Sequence, residues 1–225
     1  MLRKVVRPDK SAVIFKYDGL GRRIEKSITR AGSEKVIPFA RKEAAGEERQ
    51  KTAKGEPAPE SLITWIFQDD FIPRARITKD GIYSIMADYL GTPAEAYDDS
   101  GTLVWKRELD INGKVMPAGK DRYGRTMEDI GEKNFIPFRF QGQYEDEETG
   151  LYYNRFRYYN PETGQYTQQD PIGLAGGNPT LYGYVCDTNT QIDVLGLSWS
   201  DVLKNLGIPV KASQYKIIIV VKDSI

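Results

Sequence analysis

The sequence predicts an all-β chain, a meander of hairpins with a short α/β extension at its C-terminal end. Three observations carry that prediction. Tyrosine is abundant, 14 in 225 residues, beside 21 Gly and 12 Pro, which is a composition of strand formers and turn formers. Short runs of strand-forming residues follow one another at roughly 10-residue spacing, divided by Gly and Asp clusters. A turn phrase, Tyr-Asp-x-x-Gly, stands at 17–21 and again at 97–101, with a degenerate version in Asp121-Arg122-Tyr123-Gly124-Arg125. In that phrase Tyr ends a strand on the packed face, Asp caps the turn through its side chain, and Gly takes the positive φ. One hairpin cannot bury its own face, so such units must stack.

The elements follow in order. Residues 12–17 are apolar and β-prone, 18–21 form a turn, and 22–29 return with rough alternation, predicting a hairpin. The stretch 41–59 holds no large apolar residue and is expected to be a linker or exposed loop. Strands are predicted at 61–67, 74–78, 82–86, 94–97 and 102–107, separated by Lys79-Asp80-Gly81, Leu90-Gly91-Thr92-Pro93 and Asp98-Asp99-Ser100-Gly101. Residues 151–159 alternate Tyr and Phe with Asn and Arg, which fits one strand with two covered faces. On such a strand Arg155 and Arg157 share a face. Asn160-Pro161-Glu162-Thr163-Gly164 reads as a turn. Residues 198–207 have the pattern of a capped helix, and 215–222 that of a strand.

Composition excludes several kinds of chemistry. The 32 Lys and Arg balance the 32 Asp and Glu, so the core lacks the basic excess of a nucleic-acid binder. There is no histidine, which removes Ser-His-Asp and Cys-His catalysis, imidazole bases and His-ligated zinc. The single cysteine, Cys186, allows no disulfide within the chain, supports no Cys-rich metal site and is expected to be a small buried side chain. No metal or other cofactor is expected. No apolar run approaches the roughly 20 residues of a membrane span. The basic start of the chain lacks the apolar stretch of a signal peptide. Carboxylates are therefore the expected agents of any reaction.

From residue 88 the sequence becomes distinctive. Asp88-Tyr89-Leu90-Gly91-Thr92-Pro93 is followed by Arg139-Phe140-Gln141-Gly142-Gln143-Tyr144 and then by Glu147-Glu148-Thr149-Gly150-Leu151-Tyr152-Tyr153-Asn154-Arg155. Arg157-Tyr158-Tyr159-Asn160-Pro161 and the stretch 170–184 complete the series. This order resembles the RHS repeat-associated core domain of bacterial Rhs and YD-repeat proteins. The likeness is close over 88–197 and looser over the earlier Tyr-Asp turns. It implies a β-shell fragment organised as YD-repeat hairpins over 1–87, a core domain over 88–197, and a variable extension over 198–225. It also implies a chain made in the bacterial cytoplasm and delivered without a classical signal peptide. The implied partners are the rest of a shell, the chain's own C-terminal segment, an immunity protein and secretion-system components. In the family, the core closes a shell around a C-terminal toxin and frees it by self-proteolysis with aspartates, which here places the cut between Leu197 and Ser198.

The residues support that chemistry independently. Asp170-Pro171-Ile172-Gly173-Leu174 recurs in altered form as Asp193-Val194-Leu195-Gly196-Leu197. Two such turns meeting tip to tip bring two carboxylates together, and carboxylates at about 3 Å share one proton. One then activates a water, or a nearby group, while the other protonates the leaving amide. Asp187 is a rival for the second carboxylate, and Arg155 or Arg157 is a candidate to hold the pair. The second motif departs from the family by carrying Val194 where Pro is usual, which frees φ in that turn. Two other functions compete: a non-catalytic YD-repeat module for scaffolding or cell-surface binding, and a hydrolase acting on added substrate.

Overall fold

A computed structural model describes residues 1–30, 33–38, 50–51, 57–58, 63–68, 70–120, 126–176 and 178–197. The helix and strand expected within 198–225, and the degenerate turn at 121–125, lie outside the described residues. The described chain is β throughout, apart from one short 3-10 turn, η1 (Gly173–Gly176). It falls into two compact units divided between Ile82 and Tyr83.

In the first unit, β1 (Lys4–Val6), β2 (Ala12–Tyr17), β3 (Arg23–Arg30) and β4 (Ser33–Pro38) form an antiparallel sheet in that order. Strand β2 alternates buried and exposed residues. Val13 and Phe15 are buried with Ile28, while Ile14 faces outward. Inside the stretch expected to be a loop, β5 (Gln50–Lys51) and β6 (Pro57–Ala58) pair over two residues each. Such a ladder needs only backbone groups, which is why a stretch without large apolar residues forms it. Strands β7 (Thr64–Phe67) and β8 (Pro73–Thr78) make the next hairpin around buried Trp65.

Strand β9 (Gly81–Ala87) runs across the division, and β10 (Pro93–Tyr97) and β11 (Leu103–Lys106) follow in an antiparallel meander. A two-residue pair, β12 (Gly119–Lys120) and β13 (Thr126–Met127), comes next. The second unit ends in a four-stranded antiparallel sheet of β14 (Tyr144–Asp146), β15 (Leu151–Asn154), β16 (Arg157–Asn160) and β17 (Gln165–Tyr166). Its register sets Tyr152 opposite Tyr159 and Tyr159 opposite Tyr166. Residues directly opposite on one face touch, so these three rings line up. With Phe140 and Tyr184 they form a buried aromatic core, with Phe140 and Tyr184 stacked at 5.6 Å.

The expectation of one strand over 151–159 is corrected. The chain turns back at Arg155-Phe156, and Asn154 pairs with Arg157 across a two-residue loop. Arg155 takes a φ of 49° there, in the left-handed region that such loops require and that usually carries Asn or Gly. Arg155 and Arg157 therefore do not share a strand face.

The Asp-x-x-Gly turn is the repeating joint of the fold. Asp18, Asp88, Asp98 and Asp110 each accept, through Oδ1, the backbone N–H groups two and four residues ahead, at 2.8–3.0 Å. In each turn the glycine N–H donates to the aspartate carbonyl, and its φ lies between 72° and 83°. The turns at 18 and 98 have the geometry expected of them. Those at 88 and 110 are further examples that the Tyr-initial phrase did not pick out. The turn at 110 docks on the aromatic core, with Tyr152 donating to the Gly113 carbonyl at 3.0 Å and Tyr159 to that of Asn112 at 2.8 Å.

Candidate active site

The site lies in the second unit and is built from two further Asp-x-x-Gly turns. In the first, Asp170 Oδ1 accepts the N–H of Ile172 at 2.9 Å, the Asp170 carbonyl accepts that of Gly173 at 3.0 Å, and Gly173 takes a φ of 60°. The Asp170 N–H donates to the Leu181 carbonyl at 2.8 Å, fastening the turn to the segment that returns beside β17. In the second, Asp193 Oδ1 accepts the N–H of Leu197 at 2.9 Å, and Gly196 takes a φ of 69°. One carboxylate oxygen of each residue is thus committed to its own turn.

The other oxygens converge. Arg157, only 1% exposed, opens β16 and places Nη2 3.0 Å from Asp170 Oδ2 and 3.2 Å from Asp193 Oδ2. Two atoms held on one nitrogen at those distances are no more than about 6 Å apart. Both carboxylates are nearly enclosed, with 3% and 4% of their side chains exposed. The guanidinium also donates from Nε to the Gly196 carbonyl at 2.5 Å, and its Cζ sits 3.7 Å from the centre of the Tyr166 ring. A charged fork pairs well with carboxylates in a dry site because its donors are fixed in a plane.

The tip of the β15–β16 hairpin holds the second turn along its backbone. Asn154 Nδ2 donates to the Asp193 carbonyl at 2.7 Å, and the Phe156 N–H donates to that of Leu195 at 3.3 Å. Gly142 approaches from the other side with a φ of 87°, so closely that a Cβ there would overlap the Val194 carbonyl. Tyr166 donates its hydroxyl to Asp193 Oδ2 at 2.8 Å and receives Asn154 Nδ2 at 2.8 Å, while the Asp193 N–H reaches the Tyr184 hydroxyl at 3.3 Å. Burial is the largest influence on both phenols, and Asp193 adds to it, holding the Tyr166 hydroxyl well above the ordinary tyrosine range. Burial likewise raises the Tyr184 hydroxyl.

The structure therefore brings Asp170, Asp193 and Arg157 together, with Leu197 bonded to Asp193. Ser198 lies outside the described residues. Arg155 is not at the pair; its guanidinium lies 4.4 Å from the centre of the Phe156 ring. Asp187 is exposed and caps its own turn, accepting the N–H of Asn189 at 2.9 Å and the Thr190 hydroxyl at 2.8 Å. The Asn189 N–H is the leading reason its carboxyl lies below the usual range. Cys186, expected to be buried, is exposed. It shares its loop with exposed Asp187 and Asn189, and loops run over the surface, where a small side chain is left in water. Asn154, Tyr166 and Tyr184 were not among the site residues expected from the sequence, where Asn154 stood only in a strand and a family motif. Among the described residues no group of acidic and cysteine side chains is arranged to hold a metal.

Comparison with known proteins gives the family. The family model described as the teneurin YD-shell matches residues 1–175, and the chain belongs to that family. The toxin protein Tse5 of Pseudomonas aeruginosa is 34% identical over 203 residues, covering 78% of this chain and 14% of Tse5. The probable deoxyribonuclease RhsB of Dickeya dadantii is 31% identical over 204 residues, covering 88% of this chain and 13% of RhsB. Among solved structures, TcdB2-TccC3 without its hypervariable C-terminal region shares the fold, with a TM-score of 0.67 at 19% identity over 87% of this chain and 10% of that one. The chain is an Rhs/YD-repeat toxin core, as residues 88–197 suggested, and it spans about a seventh of the length of such curated relatives. Among the described residues no helix is long and apolar enough to cross a membrane.

Proposed function

We propose that the chain is a core that carries a C-terminal segment and frees it by cutting its own backbone between Leu197 and Ser198, in the service of toxin delivery between bacteria. The supporting observation is that two buried carboxylates share one guanidinium while one of them binds the N–H of Leu197, the residue before the cut. In this reaction one carboxylate takes a proton from water. The water oxygen bonds to the Leu197 carbonyl carbon. The other carboxyl delivers its proton to the Ser198 nitrogen as the C–N bond breaks, leaving a carboxyl terminus and an amine. Neither histidine nor metal takes part. The boundaries 1–87, 88–197 and 198–225 remain our proposed division. A shell remainder, an immunity protein and secretion components are the proposed partners.

The test is the intact mass of the expressed chain. We expect a break after Leu197, lost in Asp170→Asn and in Asp193→Asn. A single uncut species after prolonged incubation overturns self-cleavage. One observation favours a second reading, a purely structural clasp: the same turn recurs at Asp18, Asp88, Asp98 and Asp110 as a plain joint. Under that reading the asparagine variants lose stability while the covalent state of the wild type stays whole.

A further inference from the structure

Within that proposed reaction, which this inference rests on, we infer that Asn154 and Tyr166 are positioning residues that make Asp193 the base of the pair and leave Asp170 as the acid. The direction of each hydrogen bond forces the assignment. Asn154 is fully buried. The edge of its amide that meets the Asp193 carbonyl at 2.7 Å must be the NH2, because a carbonyl only accepts. The same NH2 lies 2.8 Å from the Tyr166 oxygen, so that oxygen accepts. The one proton of Tyr166 then points to Asp193 Oδ2, 2.8 Å away. This orientation leaves Asn154 Oδ1 buried without a hydrogen-bond partner. A buried orphan acceptor is uncommon and calls for a reason, and here both hydrogens of the amide are needed on the Asp193 side.

The two carboxylates differ as a result. Asp193 accepts from Leu197 N–H on Oδ1 and from Tyr166 and Arg157 on Oδ2. Asp170 accepts from Ile172 N–H on Oδ1 and forms an ion pair with Arg157 through Oδ2. Donors favour the ionised form of the group that receives them, and the extra phenol falls on Asp193. The charged and titratable groups facing Asp193 are Arg157 from β16, Tyr166 from β17, Tyr184 from the returning segment, and Asp170 across the guanidinium. Tyr166 suits the role because burial keeps its hydroxyl protonated far above neutral pH.

The discriminating variant is Tyr166→Phe, which keeps the ring in the aromatic core and removes one hydroxyl. Tyr159→Phe is its control, removing a buried hydroxyl bonded to the Asn112 carbonyl and not to the pair. Self-cleavage is followed by intact mass across pH, and the Asp193 carboxyl is followed by carbon-13 NMR titration in the uncut chain. We expect Tyr166→Phe to slow cleavage about tenfold or more, the worth of a hydrogen bond to a charged group. We also expect it to move the acid limb of the rate profile, and the Asp193 titration, to higher pH. Tyr159→Phe should leave both where they are. If Tyr166→Phe keeps the wild-type profile and titration, or if both variants shift them alike, the positioning role is overturned. If the wild type does not cut, self-cleavage falls, and the NMR titration still decides whether Tyr166 governs Asp193.

Discussion

Replacing Arg157 with Met tests the core of the site. The variant keeps an unbranched side chain of similar reach and deletes the only charge placed between Asp170 and Asp193 among the described residues. The wild-type guanidinium serves two carboxylates at 3.0 and 3.2 Å, the Gly196 and Leu181 carbonyls at 2.5 and 3.5 Å, and one aromatic face at 3.7 Å. With the arginine 1% exposed and the carboxylates 3% and 4% exposed, solvent screens little of this. Removing one partner of a buried charged set costs about 3–5 kcal/mol, because the remaining charges are left uncompensated. We therefore expect Arg157→Met to lose about that much at neutral pH. Urea unfolding followed by near-ultraviolet tyrosine dichroism, which reports the aromatic core beside the site, measures it. In the variant, burial without a cationic partner disfavours the ionised form of these carboxyls. Their penalty is full at neutral pH and shrinks in acid as they become neutral. Adding Asp170→Asn and Asp193→Asn to Arg157→Met should restore part of the loss at neutral pH. A cost under about 1 kcal/mol, or a deficit that does not shrink in acid, refutes the idea that Arg157 compensates the buried carboxyl pair.

Other expectations concern the same unit. Gly142→Ala should cost about 2–3 kcal/mol and speed hydrogen exchange at the Leu197 amide, because its Cβ meets the Val194 carbonyl. Gly150→Ala, with a φ of 69° and open space around it, should cost only about 1–2 kcal/mol and leave that amide protected. Tyrosinate absorbance should show Tyr152, Tyr159, Tyr166 and Tyr184 silent until the unit unfolds, since burial raises all four above the ordinary 10.0. Stability from keeping them neutral is complete below 10.0, the unfolded value, and is lost as pH rises beyond it. Asp187→Asn should cut at the wild-type rate in the mass assay, because Asp187 belongs to a separate exposed turn.

Much of this was legible in the sequence, for particular reasons. The strands 12–17, 74–78 and 94–97 announced themselves because Asp, with Gly or Pro, punctuates them on both sides. Asp170 and Asp193 stood out as a duplicated phrase, and Arg157 was one of two arginine candidates. The choice between Arg155 and Arg157 depends on a two-residue turn with neither Gly nor Asn at its corners, so the run 151–159 looked like one strand. Asn154 and Tyr166 are ordinary in a strand, and only pairing across the sheet reveals what their polar ends touch. The register that aligns Tyr152, Tyr159 and Tyr166 depends on contacts that no local pattern contains.

The two oxygens of each turn aspartate divide their labour, and that division has a consequence for how such a site arises. An aspartate whose Oδ1 is tied to its own backbone has already lost its rotational freedom to the fold. Its Oδ2 is left aimed outward, with no further ordering to be done by a substrate or a neighbour. At Asp18 that second oxygen meets Arg22, the residue just before β3, and stays a joint. At Asp170 and Asp193 the corresponding oxygens meet a single cation. The step from hinge to reactive pair is thus short: two copies of a scaffolding corner, turned to face each other across one arginine.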